Sequence, residues 1–143
     1  MLVSTKGRYA LRVLIDMAEH QSENYVPLKE IAQRQDISEK YLESIVKALV
    51  KGGILTGLRG KGGGYRLSRP PEQFTVVAIL RMTEGSRAPG ACLEGVSSPC
   101  ERMSACRTLA MWQGLDRLIQ EYLEQYTIAD LMQTEQPGDF YVI

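Results

Sequence analysis

The sequence has very few of the residues that most enzymes use for catalysis. It holds one histidine, His20, and three cysteines, and no two cysteines have the two-residue spacing of a dithiol site. The glycine-rich stretch at residues 60–64 lacks a lysine followed by serine or threonine, so it is not a phosphate-binding loop. We therefore assign no catalytic residues and expect a protein that is not an enzyme.

Long apolar runs are also absent. No stretch approaches the roughly 20 apolar residues of a membrane span, and Lys6, Arg8 and Arg12 interrupt the place where a signal peptide would need its apolar core. We expect a cytoplasmic protein with no membrane partner. Because that compartment is reducing, the odd number of cysteines indicates inert core residues, reactive sensors or metal ligands rather than disulfides.

Charge is balanced over the whole chain but not along it. Of 17 Lys and Arg and 17 Asp and Glu, residues 1–69 hold twelve and seven, which leaves five and ten for the remainder. A basic half suits a polyphosphate partner, whereas an acidic half has no electrostatic reason to contact one. Chance would also produce such an asymmetry. The predicted helices and strands therefore have to decide whether the basic half binds nucleic acid.

Apolar periodicity and capping residues predict a mainly α protein with one small β-hairpin. The 143 residues suffice for one domain with an oligomerisation element. In the first part, we expect three helices, a hairpin with a glycine tip and a fourth helix. Their predicted bounds are Ser4 to Gln21, Pro27 to Gln35, Ser38 to Gly52, Ile54 to Leu67 and Thr75 to Gly85.

Two short helices joined by a tight turn and followed by a basic hairpin are typical of a winged helix-turn-helix. The third helix is predicted to lie in the major groove of double-stranded DNA, with Leu42, Ile45, Val46, Leu49 and Val50 on its buried face. Its opposite face supplies most of the expected DNA-binding residues, and the hairpin supplies two more. These residues are Ser38, Lys40, Tyr41, Glu43, Ser44, Lys47, Arg59 and Lys61.

Glu43 is the unusual member of this set. A carboxylate repels phosphate but accepts a hydrogen bond from cytosine N4, so Glu43 would discriminate between DNA sites. The alternative is a solvated residue paired with Lys40 or Lys47. At the hairpin tip, Arg59 and Lys61 suit a narrow minor groove, although an ordinary solvated hairpin would carry the same residues.

The second half is predicted to contain a loop, a long helix and a short last helix that Thr127 begins. The loop spans residues 86–106, the helices fall within 107–133, and residues 134–143 form a tail without a structural assignment; residues 1–85 make the DNA-binding domain. The long helix carries two apolar stripes, one with Met111, Leu115, Leu118 and Tyr122 and the other with Trp112, Ile119 and Tyr126. This is more apolar surface than one core needs, so we expect a homodimer in which a partner helix buries it.

Cys92, Cys100 and Cys106 all fall in the predicted loop, with seven and five residues between them. Thiolates are the usual ligands of iron–sulfur clusters, and the glycines and proline of the loop allow it to bend around one centre. Zinc with a fourth ligand is an alternative, and so are three unrelated cysteines. The spacing is short enough for one loop to wrap a single centre, and we expect that centre to be an iron–sulfur cluster with either two or four irons.

Several segments together resemble the Rrf-two family of bacterial regulators. They are LVSTKGRYALRVLIDM at 2–17, SEKYLE at 38–43 and, most specific of all, LRGKGGGY at 58–65, joined by the cysteine loop and Trp112. The resemblance runs from Met1 to about Met132. It implies a homodimer, a pair of long crossing helices at the interface and a palindromic operator.

Some members of that family bind an iron–sulfur cluster through three cysteines. This chain departs from their pattern, since its first cysteine gap is longer, and Leu109 and Arg8 stand where different members have a histidine or a carboxylate as fourth ligand. Glu94, Glu101, a backbone group, water or an external molecule remain as the fourth ligand. Other members hold no cluster and respond through thiol chemistry, an enzyme partner or a small effector, which is the alternative function here.

Overall fold

The computed structural model describes residues 3–21, 23–84 and 103–132 of the chain. Within those residues, six α-helices accompany one antiparallel two-stranded sheet. In chain order the elements are α1 (Thr5–Glu19), α2 (Leu28–Gln35), α3 (Glu39–Lys51), β1 (Leu55–Leu58), β2 (Gly64–Leu67), α4 (Val76–Glu84), α5 (Leu109–Glu124) and α6 (Ile128–Met132). Short 3-10 turns at Pro71–Gln73 and Met103–Ala105 precede α4 and α5.

Hydroxyl side chains begin four of these helices where the sequence predicts them. Each accepts a hydrogen bond from a backbone N–H of the first turn, which satisfies a donor that has no partner within the helix. The donors and acceptors, all 3.2 Å apart, are the amides of Gly7, Tyr41, Ala78 and Asp130 and the hydroxyls of Ser4, Ser38, Thr75 and Thr127. The predicted helix positions are therefore confirmed to within a few residues.

One apolar core lies between α1, α2, α3, α4 and α6. Leu14, Ile31, Leu42, Ile79 and Ile128, one from each helix, are completely buried. Burial of Ile128 means that α6, although it follows the long helix α5, packs back onto the first half of the chain. The first and the last helix of the described sequence, α1 and α6, therefore both contribute to this core.

A charged link inside this unit fixes α1 against α2. The carboxylate of Asp16 is buried and receives two donors from Arg34, with the nearest nitrogen and oxygen 2.7 Å apart, and one from Gln35 at 2.8 Å. Burial opposes ionisation of Asp16, but these hydrogen bonds and the positive charges of Arg34 and His20 outweigh it and hold the pKa of Asp16 below its usual value. The link positions the helix that precedes α3.

Asp36 makes the tight turn between α2 and α3 with a left-handed backbone, φ 53°. This conformation is tolerated by aspartate better than by most residues. The predicted burial of α3 holds for Leu42, Ile45, Val46 and Leu49, but Val50 is 38% exposed and the prediction for it is wrong. The reason is geometric, because Val50 faces the hairpin rather than the core.

The hairpin forms the wing, defined here as residues 55–67. Leu55 pairs with Leu67 at its base, and both are buried; Leu58 pairs with Gly64 near its tip. Gly60 and Gly62 have positive φ angles of 93° and 78°, which a tight tip requires. The base of the wing therefore packs on the core, and its tip is exposed to solvent.

Helix α5 differs from the other long helices in burying none of its residues. It packs against α4 along one side, where Gln120 accepts a hydrogen bond from Arg81 at 3.0 Å. Within the described residues, no helix is both long and apolar enough to cross a membrane.

Candidate nucleic-acid interface

The outer face of α3 is polar and open to solvent. Lys40, Glu43, Ser44 and Lys47 are exposed, as the sequence predicts. Tyr41 is half-buried, and its ring meets that of Tyr9 edge to face with centroids 5.9 Å apart. The tyrosine therefore ties the helix to α1 as well as bordering the exposed face.

Two hydroxyls of the predicted DNA-binding set already have partners within the chain. Ser38 accepts a hydrogen bond from the amide of Tyr41 as the helix cap, and the Ser44 hydroxyl donates to the Tyr41 carbonyl at 2.7 Å. A Ser hydroxyl has a second acceptor site and one rotatable donor, so an outside partner has to share it. Lys40, Glu43 and Lys47 are the freer candidates.

A groove of about 640 Å³ separates α3 from the wing. Glu43 and Lys47 line its α3 wall, and Leu58 and Arg59 line its wing wall. The structure thus brings three of the eight predicted residues, Glu43, Lys47 and Arg59, to one place. Lys61 is exposed at the wing tip, outside the groove lining.

None of the three charged groups in the groove is neutralised by an ion pair in the parts of the chain that the structure describes. The ion pairs there join Asp16 to His20 and Arg34, and Arg34 to Glu30. The predicted alternative, Glu43 paired with Lys40 or Lys47, does not occur among these residues. The groove therefore presents two cations and one carboxylate to a ligand.

Apolar contacts within the groove were missed by the sequence reasoning. Val50 is 38% exposed and Leu58 is 49% exposed, and both line the groove beside the charged groups. The only sequence signal was the position of Leu58 directly before Arg59 in the hairpin. Val50 carried no signal, because its spacing fits the buried stripe of α3.

The three predicted metal ligands fall mostly outside the described residues. Cys92 and Cys100 lie there entirely, while Cys106 is a partly exposed free thiol whose sulfur is 3.4 Å from the Thr108 hydroxyl. Hydrogen bonds from the side chain and backbone of Thr108 lower the pKa of Cys106. No group of three ligating side chains lies together within the described ranges.

A second surface, separate from the groove, is apolar. On α5, Met111, Leu115, Leu118 and Tyr122 are 40–64% exposed, as expected for the stripe they form. Near the start of α1, Val3 lies beside Leu118 and Tyr122 and extends the same patch. An exposed apolar patch of this size is typical of a surface that another protein covers.

Helix-turn-helix, wing and polar groove together define the class of winged helix-turn-helix transcriptional regulators. A profile of the family described as Rrf2, iron-dependent transcriptional regulator, matches residues 3–134. The chain belongs to this Rrf2 family, the family named Rrf-two above, and therefore to a class without enzymatic activity.

Relatives of known name agree with this assignment. The chain is 40% identical over 133 residues to protein rrf2 of Nitratidesulfovibrio vulgaris, covering 92% of this chain and 87% of that protein. It is 36% identical over 136 residues to the HTH-type transcriptional regulator IscR of Sodalis glossinidius, covering 95% and 81%.

Solved structures give the same result for the fold. CymR, the global cysteine regulator of B. subtilis, superimposes with a TM-score of 0.76 at 34% identity, covering 95% of this chain and 99% of CymR. IscR of T. potens superimposes with a TM-score of 0.69 at 33% identity, covering 99% and 97%. The predicted fold, mainly α with a β-hairpin wing, is confirmed.

Proposed function

We propose that the chain acts as a homodimer that binds a palindromic DNA operator through α3 and the wing, and so as a transcription factor of the cytoplasm. The observation that carries the proposal is the groove, in which an exposed helix face and a basic hairpin meet with charges that no ion pair among the described residues neutralises. A winged helix-turn-helix places such a helix in the major groove and such a hairpin on the neighbouring minor groove. The DNA strand between the two would occupy the protein groove.

The residues divide by chemistry into those that position DNA and those that read it. Lys40 and Lys47 suit phosphate or guanine, and Arg59 and Lys61 suit the minor groove and its phosphates. Glu43 accepts a hydrogen bond from cytosine N4 and penalises sites that lack such a donor. Ser38 and Lys40 lie at the end of α3 that enters first, and Tyr41 and Ser44 would reach base edges or phosphates.

Two copies of the chain would meet through α5. Its exposed apolar residues have no cover within the described chain, and burying them against the same stripe of a second copy removes them from water. A two-fold dimer presents two α3 helices related by symmetry. A palindromic operator follows from that symmetry.

The finer part of the proposal concerns the signal. Cys92, Cys100 and Cys106 are the residues that would hold an iron–sulfur cluster, and the partly exposed Cys106 with its lowered pKa fits a thiolate ligand. When bound, such a cluster supplies sensitivity to oxidants and to iron supply. The cysteines fall between α4 and α5 in the sequence, so cluster binding there is proposed to shift the two DNA-binding heads relative to each other.

A second candidate signal needs no cluster. The chain is similar over its length to CymR, the global cysteine regulator of B. subtilis, and the Cys106 thiol is partly exposed. In this version, direct thiol oxidation, a small effector or a partner enzyme changes the affinity for DNA. The DNA-binding part of the proposal is the same.

Selection from a random pool of duplexes tests the DNA-binding proposal. We expect enrichment of a palindromic sequence, and the Glu43→Ala variant should accept more bases at one position of each half-site. Glu43→Gln, which keeps the size of the side chain, is the matched control for charge. Failure to enrich any sequence would contradict the proposal.

Anaerobic purification separates the two candidate signals. Visible absorption with matching iron and sulfide, lost when all three cysteines are changed to serine, supports the cluster. Colourless, iron-free protein whose operator affinity changes on thiol oxidation supports the second candidate.

A further inference from the structure

The wing is attached to the rest of the chain by more than its base. Outside the sheet, Val26 and Tyr65 form an isolated antiparallel bridge: the amide of Val26 donates to the carbonyl of Tyr65, and the amide of Tyr65 donates to the carbonyl of Val26, both at 2.8 Å. Val26 directly precedes Pro27, which caps α2. We call this pair of hydrogen bonds the wing anchor.

Gly64 is the residue that allows the wing anchor to form. Its φ is 141°, a conformation essentially restricted to glycine. A Cβ at this position would lie 2.2 Å from the carbonyl oxygen of Val26 and 2.8 Å from the nitrogen of Pro27. These are backbone atoms at the start of α2, so they cannot move aside as a flexible side chain would.

The wing anchor lies at the groove itself. Pro27, Leu28 and Gly64 line the groove together with Lys47 of α3 and Arg59 of the wing. Because α2 packs on α3, fixing β2 to the start of α2 also fixes the distance across the groove. The backbone pair is therefore placed to set how far Arg59 stands from the face of α3.

We infer that the wing anchor, made possible by Gly64, holds the wing at the separation from α3 that DNA requires, and that Gly64 is a positioning residue for the contact of Arg59. The inference rests on the proposed DNA-binding function. It assigns a role in binding to a residue with no side chain. Without the anchor, the wing would keep its buried base at Leu55 and Leu67 and the contact of the Arg66 guanidinium with the Tyr25 ring, 4.7 Å from the ring centroid.

Gly62 provides a matched control for substitution of Gly64. It lies in the same wing with a positive φ of 78°, but a Cβ added there would have no neighbour within 4 Å. Gly62→Ala therefore tests backbone strain in the hairpin, and Gly64→Ala tests strain together with loss of the anchor. We expect Gly62→Ala to keep operator affinity within about threefold, because strain at the tip leaves the anchor intact.

A double-mutant cycle with Arg59 distinguishes positioning from general damage. In the unsubstituted protein, Arg59→Ala should weaken binding to the selected duplex by about 5- to 150-fold. In the Gly64→Ala background the same change should have less than about a threefold effect, because the wing has already lost its place. An equal effect of Arg59→Ala in both backgrounds would overturn the inference.

Amide hydrogen exchange of the free, unsubstituted protein gives a test that does not require the Gly64→Ala variant to fold. The amides of Val26 and Tyr65 should exchange slowly, whereas the amide of Lys61 at the tip should exchange rapidly. Exchange of Val26 and Tyr65 as fast as that of Lys61 would overturn the inference. If the unsubstituted protein binds no duplex, the proposed function fails; if it binds and the cycle is additive, only the inference fails.

Discussion

Helices α3 and α5 are both amphipathic, but one is covered and the other is not. Four residues of α3 are buried in the core, whereas the longer α5 buries none. Ile45 on α3 is fully buried, and Leu118 on α5 is 64% exposed. An amphipathic pattern thus predicts that a helix face will be covered, but not whether the cover comes from the same chain or from another.

The largest effect that tests this comparison is on the stability of the fold. Ile45→Ala should lower the free energy of unfolding by about 2–5 kcal/mol, through lost burial and the cavity left behind. Leu118→Ala, measured where the chain is monomeric, should change it by less than about 0.5 kcal/mol. Urea unfolding followed by circular dichroism measures both. Equal losses would mean that α5 is covered within one chain.

The link between Asp16 and Arg34 extends the comparison, because it secures the covered part of the molecule. Arg34→Ala should lower the free energy of unfolding by about 2–3 kcal/mol, since it leaves the buried carboxylate without its main donors. Arg34→Lys, which keeps the charge but not the paired donors, is the matched control and should retain part of the stability.

The same link predicts a pH dependence. The pKa of Asp16 is lowered in the folded protein, so its ionised form stabilises the fold above the unfolded value, about pH 4, and this contribution is lost as pH falls through the folded pKa. The free energy of unfolding should therefore fall between pH 7 and pH 3, and it should fall less in the Arg34→Ala variant. Identical pH profiles would contradict the role of the pair.

On the exposed side of the DNA-binding unit, substitutions should affect binding and spare stability. Arg59→Ala is expected to weaken operator binding by about 1–3 kcal/mol and to reduce the salt dependence of binding by about one charge. Titrations at several salt concentrations measure both quantities. Unchanged affinity would remove the wing from the interface.

A smaller loss of stability is predicted at the start of α3. Ser38→Ala should cost about 1 kcal/mol of stability, because the amide of Tyr41 loses its cap. Ser38→Asp retains the cap but places a negative charge near the DNA, so it should keep stability and weaken binding. If both variants bind as the unsubstituted protein does, Ser38 acts only as a cap.

Local signals predicted the helices well and the long-range contacts poorly. Ser4, Ser38, Thr75 and Thr127 begin helices as expected, because a cap bonds within its own first turn. The Asp16–Arg34 link and the wing anchor join residues far apart in sequence. No residue type or spacing in the sequence predicts either contact. Val50 was mispredicted because its helical position fits the buried stripe while the fold places the wing beside it.

For the candidate site, the sequence predicted which residues would bind DNA, but not which of them lie together in the folded chain. Lys47 and Arg59 are recognisable as DNA-binding residues from charge and position, but only the packing of the wing brings them to the same groove. The predicted cluster ligands Cys92 and Cys100 lie outside the described residues, and the iron–sulfur site stays a prediction.

The mass of the complex between the protein and its selected duplex tests the central claim most directly. Sedimentation of the mixture should give two chains on one palindromic duplex, and Leu118→Glu, which places a charge in the exposed stripe of α5, should reduce this to weak binding by single chains. A complex with one unsubstituted chain per duplex, or no complex at all, would contradict the account of α3 as the reading helix and α5 as the dimer helix.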